Sequence, residues 1–213
     1  MKNYFFILPA LISALVIFVG CLSETHQVST HPSTNPEAVA TAPTATPNPS
    51  APQVPMASAA ASALSAPIRI NAGAGAIKDS TGIAWLGDTG FLGGDVIERP
   101  DQQIADTEQP EIYRSEHYSM DSFTQKLPNG KYQVKLYFCE TYDGITGPGE
   151  RVFTFEVEGK TFKDFDVWLK AGGFARAYVE TVPAEITNGQ LDIKFTPQIE
   201  NPQINAIEII PAQ

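Results

Sequence analysis

Lys131-Tyr132-Gln133-Val134-Lys135-Leu136-Tyr137-Phe138 alternates in chemistry from one residue to the next. In an extended chain Tyr132, Val134, Leu136 and Phe138 fall on one side, and Lys131, Gln133, Lys135 and Tyr137 on the other. A helix would scatter these apolar positions, whereas a strand gathers them on one face. The pattern recurs downstream. Phe153, Phe155 and Val157 alternate with Thr154 and Glu156, and Leu191, Ile193 and Phe195 alternate with Asp192 and Lys194. From Ile204 to Ile210 the chain is almost continuously apolar. Ile204, Ala206 and Ile210 share a face with Glu208, while Ile207 and Ile209 share the other with Asn205. Such a run reads as a strand covered on both sides.

Between these runs lie turn-forming residues. Pro128-Asn129-Gly130, Glu158-Gly159 and Asn188-Gly189 suit tight connections, because Gly and Asn tolerate positive φ. No long stretch keeps a helical period. Short alternating strands separated by turns predict an all-β fold, an antiparallel β-sandwich over residues 67–213. Roughly 145 residues suffice for two packed sheets and one core. Trp85 and Trp168 read as core anchors. Tyr113 lies five residues before Tyr118 and so on the opposite face of a regular strand, where it reads as packing.

The N-terminal third is different. Lys2 is followed by an apolar stretch, Phe5 to Phe18, which is short for a membrane span and reads as a secretory signal over residues 1–20. Its end, Phe18-Val19-Gly20-Cys21, resembles the lipobox of bacterial lipoproteins, which implies that the Cys21 thiol is lipidated and tethers the chain to a membrane. Leu22 in place of Asp implies outer-membrane sorting in a Gram-negative host. Residues 22–66 contain seven prolines but no aromatic residue, Gly, Lys or Arg. This Pro-, Ser-, Thr- and Ala-rich composition cannot bury enough apolar area to offset chain entropy. Residues 21–66 therefore read as a semi-extended linker, with His26 and His31 solvated in it.

With 24 acidic residues against 14 basic ones, the chain lacks the positive footprint that displaces counterions from a nucleic acid. The other cysteine, Cys139, sits in an apolar run and reads as a buried small hydrophobe. His117 is the single His of the folded part; alone it makes neither a metal cage nor a triad. Asp164 and Asp166 read as a solvated strand edge rather than a calcium site. No cofactor, metal or catalytic constellation is implied, and nothing singles out the carboxylate pair a glycosidase needs.

Several strings, in order, are similar to malectin and the malectin-type carbohydrate-binding modules. They are Arg69-Ile70-Asn71-Ala72-Gly73, Asp88-Thr89-Gly90-Phe91 and Tyr113-Arg114-Ser115-Glu116-His117-Tyr118. Further on come Leu136-Tyr137-Phe138-Cys139-Glu140-Thr141-Tyr142, Gly149-Glu150-Arg151-Val152-Phe153 and Glu200-Asn201-Pro202-Gln203-Ile204-Asn205. The resemblance implies a jelly-roll-like, galactose-binding-like sandwich that binds sugar in a cleft between loops at one end, without catalysis. It assigns the sugar-binding aromatics to Phe91, Tyr118 and Tyr142 and the acidic group to Glu200. Asp88, Glu140 and Asn201 stand beside them as polar partners. A pyranose has an apolar C–H face and a belt of hydroxyls, so aromatic platforms with a few fixed polar groups suit it. The expected function is thus capture of glucose-type oligo- or polysaccharide at the cell envelope. The alternative is a structural or protein-docking lipoprotein on the same sandwich.

Overall fold

The computed structural model describes residues 67–212; the expected signal over residues 1–20, Cys21 and the expected linker over 21–66 lie outside the described residues. The first half of the domain holds short strands: β1 (Ile68–Asn71), β2 (Ile77–Lys78), β3 (Ala84–Trp85), β4 (Phe91–Leu92), β5 (Asp95–Glu98), β6 (Ser115–Tyr118) and β7 (Ser122–Lys126). The second half holds the long ones: β8 (Gly130–Phe138), β9 (Val152–Val157), β10 (Lys160–Phe165), β11 (Tyr178–Ile186) and β12 (Gln190–Ile199). A short helix, α1 (Val167–Ala171), joins β10 to β11, and β13 (Gln203–Ile204) and β14 (Ala206–Pro211) close the chain.

Two antiparallel sheets dominate. One runs β1-β14-β8-β11 and the other β10-β9-β12-β7-β4. The alternation that identifies the strands also fills the core. Val134, Leu136, Phe138, Val182, Ile207 and Ile209 from the first sheet meet Phe123, Phe153, Phe155, Leu191, Ile193 and Phe195 from the second in a single buried cluster. The expected antiparallel sandwich is therefore present. Glu158 (φ 46°) and Gly159 (φ 78°) are both left-handed and make the two-residue turn between β9 and β10, whose backbone twist matches that of the strands.

The first sheet is covered on its outer side as well. Tyr137, Cys139 and Ala206 pack there against Trp85, Ile112 and Tyr113. Trp85 stands edge-on to Tyr137 at 5.5 Å between centroids, and its indole N–H donates to Asp79 Oδ2 at 2.8 Å. Burial pushes the Cys139 thiol up to about 12, so it is inert as a nucleophile.

Two expectations are corrected. Trp168 is half-buried on α1 and packs on Phe174 rather than in the core, because α1 lies outside the two sheets. The run Ile204–Ile210 is not one strand. It breaks at Asn205, so Ile204 pairs with His117 of β6 while Ala206 pairs with Tyr137 of β8. Ile204 accordingly joins the same buried cluster as Ile207 and Ile209, although counting by twos puts it on the opposite side.

Asn205 makes this break possible. It is fully buried, yet all its polar groups are paired. Its Oδ1 accepts from Cys139 N–H at 2.7 Å, and its Nδ2 donates to the carbonyls of Ser115 at 2.8 Å and Tyr113 at 3.2 Å. Its N–H donates to the Tyr137 carbonyl and its carbonyl accepts from Ala72 N–H, each at 2.9 Å. Removing the amide strands one buried donor and two acceptors, each costing ~1–3 kcal/mol. Asn205→Ala is expected to destabilise the domain by at least about 3 kcal/mol in denaturant melts; a loss under about 1 kcal/mol would show that water replaces the amide.

Candidate functional site

A third sheet, β13-β6-β5, stands beside the sandwich. Its strands put Glu116 and Tyr118 on one face and Ser115 and His117 on the other. Ile97 pairs with Glu116 across β5 and β6, and so shares the first face. The sheet is close-packed through glycine. Gly73 (φ 83°) and Gly94 (φ 86°) lie against the Glu116 and Tyr118 carbonyls, and a Cβ on either would fall on those atoms.

On the Tyr118 face opens a cleft of about 270 Å³, lined by Ile97, Arg99, Glu116, Tyr118, Tyr142, Arg151, Glu200 and Asn201. Its residues arrive from four parts of the chain. Tyr118 and Glu116 come from β6, while Ile97 and Arg99 come from β5 and the turn after it. Tyr142 and Arg151 come from the two ends of the β8–β9 loop. Glu200 and Asn201 follow β12.

The walls are fixed by two ion pairs. Arg151 Nε donates to Glu140 Oε2 at 2.7 Å, with side chains only 4% and 0% exposed. Glu140 Oε1 accepts from the Tyr142 N–H at 3.0 Å, and Arg151 Nη1 donates to the Asn201 carbonyl at 2.5 Å. Burial pushes the Glu140 carboxyl above its ordinary range, against the opposing pull of Arg151 and the Tyr142 N–H. The second pair joins Arg99 Nη1 to Glu116 Oε1 at 3.2 Å, and Thr141 Oγ1 bridges it, accepting from Arg99 at 3.2 Å and donating to Glu116 Oε2 at 3.3 Å. Both arginines are thus neutralised by their own partners, and among the lining residues Glu200 is the charge without an ion-pair partner. Tyr142 is 42% exposed, and its ring lies against Gly144, where a Cβ would collide with it.

Two strained residues stand at or next to lining positions. Ser119 (φ 60°) and Glu200 (φ 56°) are left-handed without being glycine, a conformation held only where surrounding contacts impose it. The Ser119 N–H donates to the Pro202 carbonyl at 2.9 Å, tying the two strained turns together.

The structure thus brings Tyr118, Tyr142, Glu200 and Asn201 into one cleft and separates three other expected residues from it. Glu140 lies beneath the lining and acts by holding Arg151 and Tyr142. Phe91 and Asp88 are on the opposite face of β6, with His117. Phe91 stacks on the His117 ring at 4.2 Å between centroids and packs on Phe123. Asp88 Oδ1 lies 2.9 Å from His117 Nδ1 and accepts from the Gly73 N–H at 2.7 Å. Asp166 is also not a solvated edge; it caps α1 and is 4% exposed. Reading by sequence missed Ile97, Arg99, Glu116 and Arg151. Arg151 carried a signal, as a charged residue directly before the largely apolar run Val152–Val157, whereas Glu116 lies in the polar string Ser115-Glu116-His117-Tyr118. Arg99 carried none.

A wider depression of about 520 Å³ lies on the outer face of the five-stranded sheet, lined by Asp121, Glu156, Glu158, Asp192 and Lys194 among others. It has no aromatic side chain and offers no platform for a sugar ring. Among the described residues no group of three or more His, Cys, Asp or Glu side chains is placed to hold a metal ion.

A two-sheet sandwich with a loop-built, aromatic-walled cleft at one end defines a class of binding module. Residues 67–207 match the Malectin domain, and the chain belongs to that family, whose members are non-catalytic binding modules. It is 32% identical over 108 residues to Receptor-like protein 4 of Arabidopsis thaliana, covering 50% of this chain and 16% of that protein. It is 33% identical over 92 residues to a probable leucine-rich repeat receptor-like serine/threonine-protein kinase of the same plant, covering 39% of this chain and 9% of the kinase. The chain matches only these small fractions of both relatives. Among solved structures, it resembles the beta-glucuronidase of Bacteroides uniformis (TM-score 0.63, 16% identity, 69% of this chain and 18% of that one). It also resembles the ANXUR2 extracellular domain of Arabidopsis thaliana (TM-score 0.60, 16% identity, 68% and 48%) and a chain from the complex of plant peptide RALF23 with FER and LLG2 (TM-score 0.60, 18% identity, 68% and 48%). At these identities the likeness is one of fold.

The Asp88–His117 contact yields a pH prediction. His117 Nε2 faces the Gly93 carbonyl at 2.9 Å while Nδ1 faces Asp88. Two acceptors require two N–H donors, which only the imidazolium has. Burial opposes that charge, but the bonds to Asp88 and Gly93 and the Asp88 and Asp95 charges outweigh it and raise the imidazole above its ordinary value. Burial likewise raises Asp88, and the bonds from His117 and Gly73 outweigh it and hold it below the usual carboxylate range. The stability from His117 is then full below the unfolded imidazole value of about 6.5 and is lost as pH rises through the raised folded value. That from Asp88 is present above about 3.9 and is lost as pH falls through the lowered one. His117→Gln is expected to lower Tm most near about pH 5.5 and least near about pH 9. A Tm difference flat across that range would mean that the ring is neutral.

Proposed function

We propose that this protein is a membrane-tethered, non-catalytic module that binds glucose-type oligo- or polysaccharide outside the cytoplasm. The observation that carries this reading is the meeting of Tyr118, Tyr142, Glu200 and Asn201 in one cleft. Two tyrosines supply faces for the apolar side of a pyranose and hydroxyls for its edge. Glu200 and Asn201 add acceptors and a donor for sugar hydroxyls. The ion pairs hold these groups in place before a ligand arrives, which lowers the ordering cost of binding. Because each arginine already has its carboxylate, the cleft presents hydrogen-bonding groups rather than a cationic patch, which favours a neutral sugar. The short apolar N-terminal stretch, Cys21 and the Pro-rich residues 22–66 support export, a lipid anchor and a spacer that gives the domain reach.

Titration of the full chain with glucose oligomers tests the cleft. Tyr118→Ala and Tyr142→Ala are each expected to weaken binding about tenfold, a loss of about 1.4 kcal/mol, and together to abolish it. Retention of affinity in the double variant would defeat the assignment. A second reading is docking of a protein, favoured by the structural likeness to a chain from the complex of a plant peptide with FER and LLG2. It predicts a crosslinked partner that glucose oligomers do not displace.

A further inference from the structure

The aromatic pair formed by Trp168 of α1 and Phe174 just after it is not among the residues that line the cleft. Trp168 is half-buried and packs on Phe174 with ring centroids 6.5 Å apart. Phe174 is 37% exposed, and Leu169 beside it is 65% exposed.

This pair is mounted on the cleft's own loop. Asp166 Oδ1 accepts from the Leu169 N–H at 3.0 Å and so caps α1, while its Oδ2 accepts from the Gly149 N–H at 2.6 Å. At the other end the Ala175 N–H donates to the Glu140 carbonyl at 2.8 Å. Residues 166–175 are therefore fastened at both ends to residues 140–149, part of the loop that delivers Tyr142 and Arg151 to the cleft. Strand directions give the same placement. β9 leaves that loop, β10 returns antiparallel to it, and β12 also runs antiparallel to β9 and ends at Ile199, just before Glu200. The β8–β9 loop, α1 and the Glu200 turn thus share one end of the sandwich.

We propose that Trp168 and Phe174 form a second sugar platform, for units of the same saccharide that extend beyond the cleft, so that the ligand is a chain longer than a disaccharide. This rests on the cleft binding sugar. A cleft of about 270 Å³ is below the roughly 300–1,000 Å³ typical for a drug-sized ligand, so a longer glycan must run out over the rim. A half-buried indole at the surface can offer the C–H face of a pyranose an aromatic contact. Three apolar side chains fall far short of the roughly 800 Å² per partner of a stable protein interface, which makes a saccharide the better occupant.

The test is the chain-length dependence of affinity, measured by calorimetry on the full chain with glucose disaccharides and their longer homologues. Affinity is expected to rise about tenfold (~1.4 kcal/mol) from disaccharide to longer oligomers. Trp168→Ala with Phe174→Ala removes that rise and leaves disaccharide affinity unchanged, which also reports that the variant is folded. Trp168→Tyr keeps most of the rise. Iodide quenching of the wild type gives an independent reading, since Trp85 is 3% exposed and Trp168 is the accessible indole of the two in the chain. Long oligomers should shield it and disaccharides should not. Affinity independent of length, or a rise that survives in the double variant, overturns the second platform while leaving the cleft intact. No binding at any length removes the cleft reading and this one with it.

Discussion

Asn205 is the point on which the architecture turns. The chain must leave the small sheet that carries Tyr118 and enter the large sheet that carries the core, and it does so across one residue. A break in pairing at full burial would leave peptide groups without partners, at a cost comparable to a lost hydrogen bond for each. The Asn205 amide supplies them, reaching Cys139 on one side and Tyr113 and Ser115 on the other. The cleft wall and the sandwich are therefore a single rigid unit, and the orientation of β6 is set from the core outward.

The same logic operates one layer up. Glu140 and Arg151 are buried charges, and such a pair adds little net stability because desolvation offsets attraction. What it provides here is geometry. Glu140 holds the Tyr142 backbone and the Arg151 guanidinium, and Arg151 holds the Asn201 carbonyl. The two ends of the β8–β9 loop and the turn after β12 are thus kept in register at the cleft. On the far side of β6, the His117 ring, held between Asp88 and Gly93 and stacked on Phe91, fixes the strand from behind. The cleft is thus held in shape by ion pairs, of which Glu140–Arg151 is almost wholly buried.

Much of the fold could be read from periodicity. Tyr132 to Phe138, Phe153 to Val157 and Leu191 to Phe195 alternate because each strand has one face in the core. The Glu158-Gly159 turn was legible because its conformation excludes most residues. The cleft was half legible. Tyr118, Tyr142, Glu200 and Asn201 follow from the family resemblance, whereas Phe91 and Asp88 were drawn to the site by it and lie behind β6 instead. An aromatic ring near a sugar-site strand looks the same in sequence whether it faces a ligand or a histidine. Arg99 was invisible because its role depends on Glu116, which reaches it only through pairing of β5 with β6.

By itself the sequence determined most of the strands, their inward faces and the turns. These are local properties, fixed by side-chain type and spacing along the chain. The tertiary structure decided which face of β6 opens to solvent, that Ile204 and Ala206 belong to different sheets, that Glu140 supports rather than lines the cleft, and that Trp168 stands outside the core. Each of these depends on contacts between segments far apart in the chain, where burial and pairing are settled by the packing of sheets and not by any neighbour in sequence.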